Sequence, residues 1–426
     1  MLTKTSRDWK LAATALLAIS FSPNATRAQD GALAFETEPP RKAADLVSKE
    51  LLSGSHHKVR ADTVPYLFDY SYTIDSDFGV FYAYGAKGLA RRVNEINAIA
   101  SLRELKKTKT FIDAAAKAAL NPLNTAKDLV TKPLKTVDGV AKGAVDTGKG
   151  VVGGVRDGVR SLIRREKSTK TEYEDGALGE LSGYSRTKRT LAAKLGVDPY
   201  SSNAVLQREL QGVARTAALG DIGVGAGLAV LTSGVTRTAI SATSASSDFR
   251  AALVDMTPAE IKAKGKKEMQ RLGCSEELIE RFVNHVPLLP SQRALLVYGA
   301  KKFEGAAGLD SVFVSACRVR DEIEATRFIE ALAMLEKEKS AGVRIERLAD
   351  CGGTVVAITP DGTLLVPMPG TQIAWIPLAR RAALSIVACN PAGRAIVGRE
   401  LLVAGSVTPK AKSGFASNGV TTRKTK

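Results

Sequence analysis

At 426 residues, the chain has room for two or three domains of about 150 residues each. Its 44% hydrophobic and 25% charged residues exclude wholesale disorder, and with only 5% aromatics burial has to rest on Val, Leu, Ile and Ala. A net charge of +17, from 61 Lys and Arg against 44 Asp and Glu, points to an anionic partner.

Residues 1–28 have the layout of a secretory signal: Lys4, Arg7 and Lys10, an apolar run over 11–21, then Ser22-Pro23-Asn24 and a polar approach to Ala28. This predicts export to the periplasm or beyond, with membrane-peripheral association open. The run falls short of the ~20 residues of a bilayer span, so no permanent transmembrane span is expected. Residues 29–60 read as a flexible polar leader.

Over 61–120 the spacing predicts an aromatic hairpin followed by an amphipathic helix. Tyr66, Phe68, Tyr70 and Tyr72 alternate at period two, as do Phe78, Val80, Tyr82 and Tyr84, with Asp75-Ser76-Asp77 between them, suggesting one shared aromatic face. From Leu89 the period becomes helical, through Val93, Ile96, Ile99, Leu102 and Leu105.

An eleven-residue period then occupies the basic segment 121–170. Aligned, 125–135, 136–146, 147–157 and 158–168 read TAKDLVTKPLK, TVDGVAKGAVD, TGKGVVGGVRD and GVRSLIRREKS. Eleven residues over three turns keep an apolar stripe almost parallel to a straight helix axis. That stripe comprises Leu129, Val130, Val137, Val140, Val151, Val152, Val155, Val159, Leu162 and Ile163, and Lys127, Lys132, Lys135, Lys142, Lys149, Arg156 and Arg160 share the other face with four aspartates. Seven glycines between Gly139 and Gly158 cost a helix roughly 6 kcal/mol against alanine. The segment should therefore be helical only against a surface that rewards its stripe. A lipid interface would do so, each basic residue adding about 1 kcal/mol near an anionic leaflet. Residues 87–170 carry 19 Lys and Arg against 8 Asp and Glu. A Val/Ala/Gly stripe would equally suit a helix lying on the protein's own core.

The repeat resembles the eleven-residue repeats of synucleins, perilipin-type lipid-droplet proteins and desiccation-related late-embryogenesis proteins. The likeness covers 125–168, without the regular Lys-Thr-Lys-Glu core of synucleins. It implies an amphipathic helix formed on a lipid surface.

Residues 178–247 combine a helical stretch (Leu191, Leu195, Leu206, Leu210, Val213) with a Gly/Ala/Ser-rich run that satisfies no phosphate-loop motif. A compact helical domain is predicted over 248–341. Thr257-Pro258-Ala259-Glu260 forms a capping box, Ser275 caps the next helix, Pro290 opens a third, and a fourth runs unbroken from Asp310 to about Lys339. Residues 342–408 read as a small β region, with strands flanking the turn Thr359-Pro360-Asp361-Gly362. The tail 409–426, with five Lys and Arg and no acid, is expected to be disordered.

Cys274, Cys317, Cys351 and Cys389 allow three pairings in an oxidising compartment, and their spacing contains no C-x-x-C metal motif. His56 and His57 read as solvated. No H-E-x-x-H or G-x-S-x-G exists, and the S-x-x-K matches at Ser55 and Ser185 have no K-T-G. No catalytic, metal or cofactor residue is expected.

The expected fold is mainly α, with helical bundle blocks, a long eleven-residue-repeat amphipathic helix and a small C-terminal β region, α+β overall. The expected function is that of an exported, non-enzymatic envelope protein binding an anionic lipid or envelope surface reversibly. Protein partners remain open, and nucleic acid is not expected as the partner. The alternative is a folded periplasmic enzyme or assembly/scaffold factor whose site is built by long-range contacts.

Overall fold

The computed structural model describes residues 33–38, 40–119, 184–219, 256–391 and 395–426. The eleven-residue repeat, with the basic residues from Lys127 to Arg160 and the apolar stripe from Leu129 to Ile163, lies outside the described residues, as do the signal-like segment and most of the Gly/Ala/Ser-rich run.

The expectation of a mainly helical chain with a small C-terminal β region is overturned. Among the described residues there are two five-stranded sheets and a two-stranded one. The first belongs to the N-terminal half: β1 (Ser53–Gly54), β2 (His57–Val59), β3 (Val64–Tyr66), β4 (Asp69–Ser76) and β5 (Gly79–Tyr84). Its short strands escaped the period-two signal. All pairings are antiparallel: β2 and β3 pair with opposite ends of β4, and β5 pairs along its length.

The 29–60 leader is folded rather than flexible over its described part. It contributes helix α1 (Lys49–Leu52) and strands β1 and β2, and farther upstream the Trp375 N–H donates to Glu36 Oε2 at 2.5 Å. His57, read as solvated, is buried, with Nε2 3.3 Å from the Leu51 carbonyl. The single aromatic face also fails. A two-residue turn pairs Tyr72 with Ala83 and Ile74 with Phe81, so even positions of β4 share a face with odd positions of β5.

Helix α2 (Gly85–Lys107) is 23 residues long, about 34 Å at 1.5 Å per residue. Leu89, Val93 and Ile96 pack on Tyr70, Tyr72 and Ile74 of the sheet. Beyond them, Ile99, Leu102 and Leu105 join α3 (Lys109–Ala119), α4 (Tyr184–Lys194) and α5 (Ala204–Leu219) around Leu191, Leu206 and Leu210. Polar groups close the junction of α2 with the loop before α5: buried Glu95 accepts from Arg92, Ser201 and Asn203.

The C-terminal half is a three-layer sandwich. Strands β6 (Arg347–Cys351), β7 (Thr354–Ile358) and β8 (Thr363–Met368) form an antiparallel meander, and β10 (Gly398–Val403) and β12 (Thr421–Lys424) extend it in parallel. The small sheet joins β9 (Gln372–Ile373) to β11 (Ser406–Val407). Helices α6 (Pro258–Arg271), α7 (Glu276–Val283), α8 (Pro290–Lys301), α9 (Asp310–Ala316) and α10 (Glu322–Ser340) enclose one core with Val355, Ala357, Leu365 and Leu402. Helices α11 (Pro377–Ala388) and α12 (Pro409–Ser417) cover the opposite face, against Val356, Ile358, Leu364, Val366, Leu401 and Val403. Period-two alternation thus places apolar side chains on both faces of a sheet buried on both sides.

The tail expected to be disordered forms α12 and β12. One of its basic residues finds its counter-charges elsewhere: Arg423 pairs with Glu338 at 2.8 Å and Glu400 at 2.6 Å. Burial raises the Glu338 carboxyl, but Arg423 and the Lys426 N–H more than offset it and hold it below the usual range.

Arg423→Ala should lower the unfolding free energy by about 2–3 kcal/mol by stranding the buried Glu338 carboxylate, measured by urea denaturation; an unchanged midpoint would sink the ordered-tail account. Glu38 is pushed up to about 7 by burial and by Glu36. Its folded value exceeds its unfolded one, so the stability it contributes is full below pH 4.5 and lost as pH rises through 7. Hydrogen exchange over 33–41 should accelerate between pH 6 and 8 beyond the intrinsic rate, and Glu38→Gln should remove that excess.

Candidate functional site

A cleft of about 170 Å³ lies where the two halves meet. Four local structures build it, and each has a physical reason to stand where it does.

The first is a break between α9 and α10, where an unbroken helix is expected from sequence. Asp321 is the N-cap of α10, its Oδ1 accepting from the Glu324 N–H at 2.8 Å. Glu324 also accepts from the Arg320 N–H at 2.9 Å and from Arg320 Nε at 3.0 Å. The carboxylates therefore reward ending one helix and starting another, and Arg318, Val319 and Arg320 line the cleft.

The second is the turn between β6 and β7. Cys351 faces Thr354 across Gly352-Gly353, whose φ values of +66° and +94° suit glycine. A Cβ on Gly353 would meet Arg318 Cδ at 3.3 Å, so the arginine stem lies along bare backbone. Asp350 accepts from the Gly353 N–H at 2.9 Å and from Ser315 Oγ at 2.6 Å, and pairs with Arg318 at 3.2 Å.

The third is the disulfide between Cys351 and Cys389, with Cα atoms 5.7 Å apart, which ties the end of β6 to the C-cap of α11. Among the described residues Cys274 and Cys317 remain thiols. Burial pushes Cys274 up to about 11 and also raises Cys317, so neither is an activated thiolate.

The fourth is the tip of the β3–β4 hairpin. Tyr66 pairs with Asp69, leaving a two-residue turn of Leu67 (φ +51°) and Phe68 (φ +66°). Asn or Gly normally occupies such positions, and a left-handed non-glycine residue costs about 1–2 kcal/mol. The surroundings offset that strain. Leu67 O accepts from Arg327 Nη1 at 2.8 Å and from Tyr84 Oη at 3.0 Å, and Phe68 O accepts from the N–H groups of Thr371 (2.9 Å) and Gln372 (3.2 Å). The Phe68 side chain, 2% exposed, enters the core under α11.

Three arginines line this space. Arg318 is paired with Asp350 and Arg320 with Glu324. Arg327 is held by the Leu67 carbonyl and by Tyr84 Oη at 2.7 Å, with no carboxylate in ion-pair range among the described residues. Burial raises Tyr84 far above the ordinary phenol range despite Arg327, so Tyr84 stays protonated and donates to Leu67 O.

Two other polar centres carry less chemistry. Arg91–Glu322 at 2.9 Å and Lys87–Glu330 at 3.4 Å join α2 to α10 as structural pairs. His285 Nε2 lies 2.7 Å from the Val319 carbonyl, and burial lowers its pKa. Among the described residues no group of three or more His, Cys, Asp or Glu could hold a metal ion, and no helix is long and apolar enough to cross a membrane.

Of the residues singled out from sequence, Cys351 and Cys389 are brought together at the cleft, and the repeat residues lie outside the described structure. Arg318, Arg320, Arg327 and Leu67 were missed, and Phe68, read as a strand position on an aromatic face, is a turn residue. Asp321 with Glu324 three residues on was the readable cap signal for the break; nothing local marks the Leu67-Phe68 turn. No protein-family profile, curated protein or solved structure matches the chain.

Phe68→Ala should cost about 3–5 kcal/mol and separate the hairpin tip from the C-terminal half, read as faster exchange of the Thr371 and Gln372 amides. Loss of stability without that local change would refute the anchoring of the hairpin tip by Phe68.

Proposed function

We propose that the protein is an exported, non-enzymatic cell-envelope protein that binds an anionic lipid or envelope surface reversibly through its eleven-residue-repeat segment. The supporting observation is topological. Helices α3 and α4, which flank residues 120–183, both pack on α5, so the chain leaves and re-enters the folded body beside one helix. A segment so anchored can engage a surface without threading through the body's cores. Its seven glycines and basic excess suit a helix that forms on contact. The Cys351–Cys389 bond fits an oxidising compartment. The second reading, a periplasmic enzyme or assembly/scaffold factor, is favoured by the arginine-lined cleft, assembled from residues up to 322 positions apart.

Vesicles containing phosphatidylglycerol should bind the full chain and raise its helical circular dichroism, whereas neutral phosphatidylcholine vesicles should not. Replacing Lys127, Lys132, Lys135, Lys142, Lys149, Arg156 and Arg160 by Gln should weaken that binding by at least about 100-fold, at about 1 kcal/mol per charge. Equal binding of wild type and variant, or none by wild type, would overturn the proposal.

A further inference from the structure

We propose that the cleft between the β3–β4 hairpin tip, the α9–α10 break and the Cys351–Cys389 bond binds a small apolar monocarboxylate, its ring or short chain on the apolar floor and its carboxylate on Arg327. This goes beyond surface binding and depends only on described residues.

Size and lining set the apolar part. Phe328, Ala331, Val356, Val366, Leu378 and Ile386 are among the walls of a space of about 170 Å³. An apolar cavity of about 150 Å³ accepts a benzene-sized group. A phenyl ring or a chain of similar bulk therefore fits, and a long acyl chain does not.

The charge pattern sets the head group. Asp350 neutralises Arg318 and Glu324 neutralises Arg320, leaving Arg327 as the arginine of the lining without a carboxylate partner among the described residues. The two acids that feel its charge, Asp69 and Glu330, make their direct contacts with other groups. Asp69 accepts from the Tyr70 N–H and Thr371 Oγ1, both at 2.8 Å, and Glu330 faces Lys87 at 3.4 Å. Asp69 and Glu330 lie within Coulomb range of Arg327, but neither is in ion-pair contact with it, so one direct carboxylate contact is open to a ligand. A phosphate dianion would bring a second negative charge, beside Glu324 and Asp350.

Geometry favours a carboxylate in particular. Both hydrogen bonds of Arg327 leave from Nη1, so its Nε–Nη2 edge has no acceptor among the described residues. That edge is the one a planar carboxylate grips with two parallel bonds. The guanidinium is already immobilised by Leu67 O and Tyr84 Oη, which lowers the ordering cost of binding.

Isothermal titration of the full chain with phenylacetate, 2-phenylethanol and 2-phenylethylamine tests the assignment. Phenylacetate should bind at least about 10-fold more tightly than either neutral or cationic analogue, a difference of about 1.4 kcal/mol. Arg327→Gln should abolish that preference, and Ala331→Leu should fill the floor and remove phenylacetate binding, with retained folding checked by circular dichroism. No phenylacetate binding, equal binding of the amine, or binding retained by Ala331→Leu would each overturn the proposal. Should Arg327→Gln unfold, Ala331→Leu and the three-ligand comparison decide it.

Discussion

The carbonyl groups of Leu67 and Phe68 each accept two hydrogen bonds from chain more than two hundred residues or one strand away, and the junction between the two halves is organised around them. A turn of two left-handed non-glycine residues would relax in isolation. It persists because its oxygens, its buried phenyl ring and the bare backbone at Gly370, where a Cβ would lie 2.7 Å from Phe68 O, over-determine its shape. The same contacts orient Arg327 and form one wall of the cleft. Strain in the N-terminal half is thus balanced by hydrogen bonding in the C-terminal half.

Legibility from sequence follows how local the determining interaction is. Helix α2 was readable because Leu89 through Leu105 recur at a spacing of three or four residues and are all buried, although in two separate clusters, and the start of α6 because Thr257 and Glu260 complete a capping box. The Thr359–Gly362 turn was readable for the same reason: Gly362, at φ +84°, donates to the Thr359 carbonyl at 3.0 Å. The cleft was not. Its arginines differ in role only through partners: Arg320 has its acid four residues on, whereas Arg327 is positioned by Leu67, 260 residues away. The first sheet was under-read because β1, β2 and β3 have three residues or fewer, too few to show a period.

Charge was the other source of error, because counting by segment assumes that neighbours in sequence are neighbours in space. The tail has no acid of its own, yet Arg423 meets a fully buried carboxylate 85 residues upstream. Within the folded body, several basic residues are similarly matched: Arg91 with Glu322, Arg103 and Lys106 with Glu209, Arg318 with Asp350. Arg327 is the contrasting case in the cleft, where hydrogen-bond acceptors rather than a carboxylate fix a cation.

The parallel pairing of β10 with β12 has a consequence for the order of assembly. During synthesis Glu338 emerges 85 residues before Arg423, and β10 one short helix before β12, so the carboxylate and the open strand edge wait for their ion partner and their neighbour. Glu36 waits longer still, because Trp375 and Thr408, which both contact it, emerge more than three hundred residues later. The C-terminal sandwich therefore closes only once its last strand is in place beside β10.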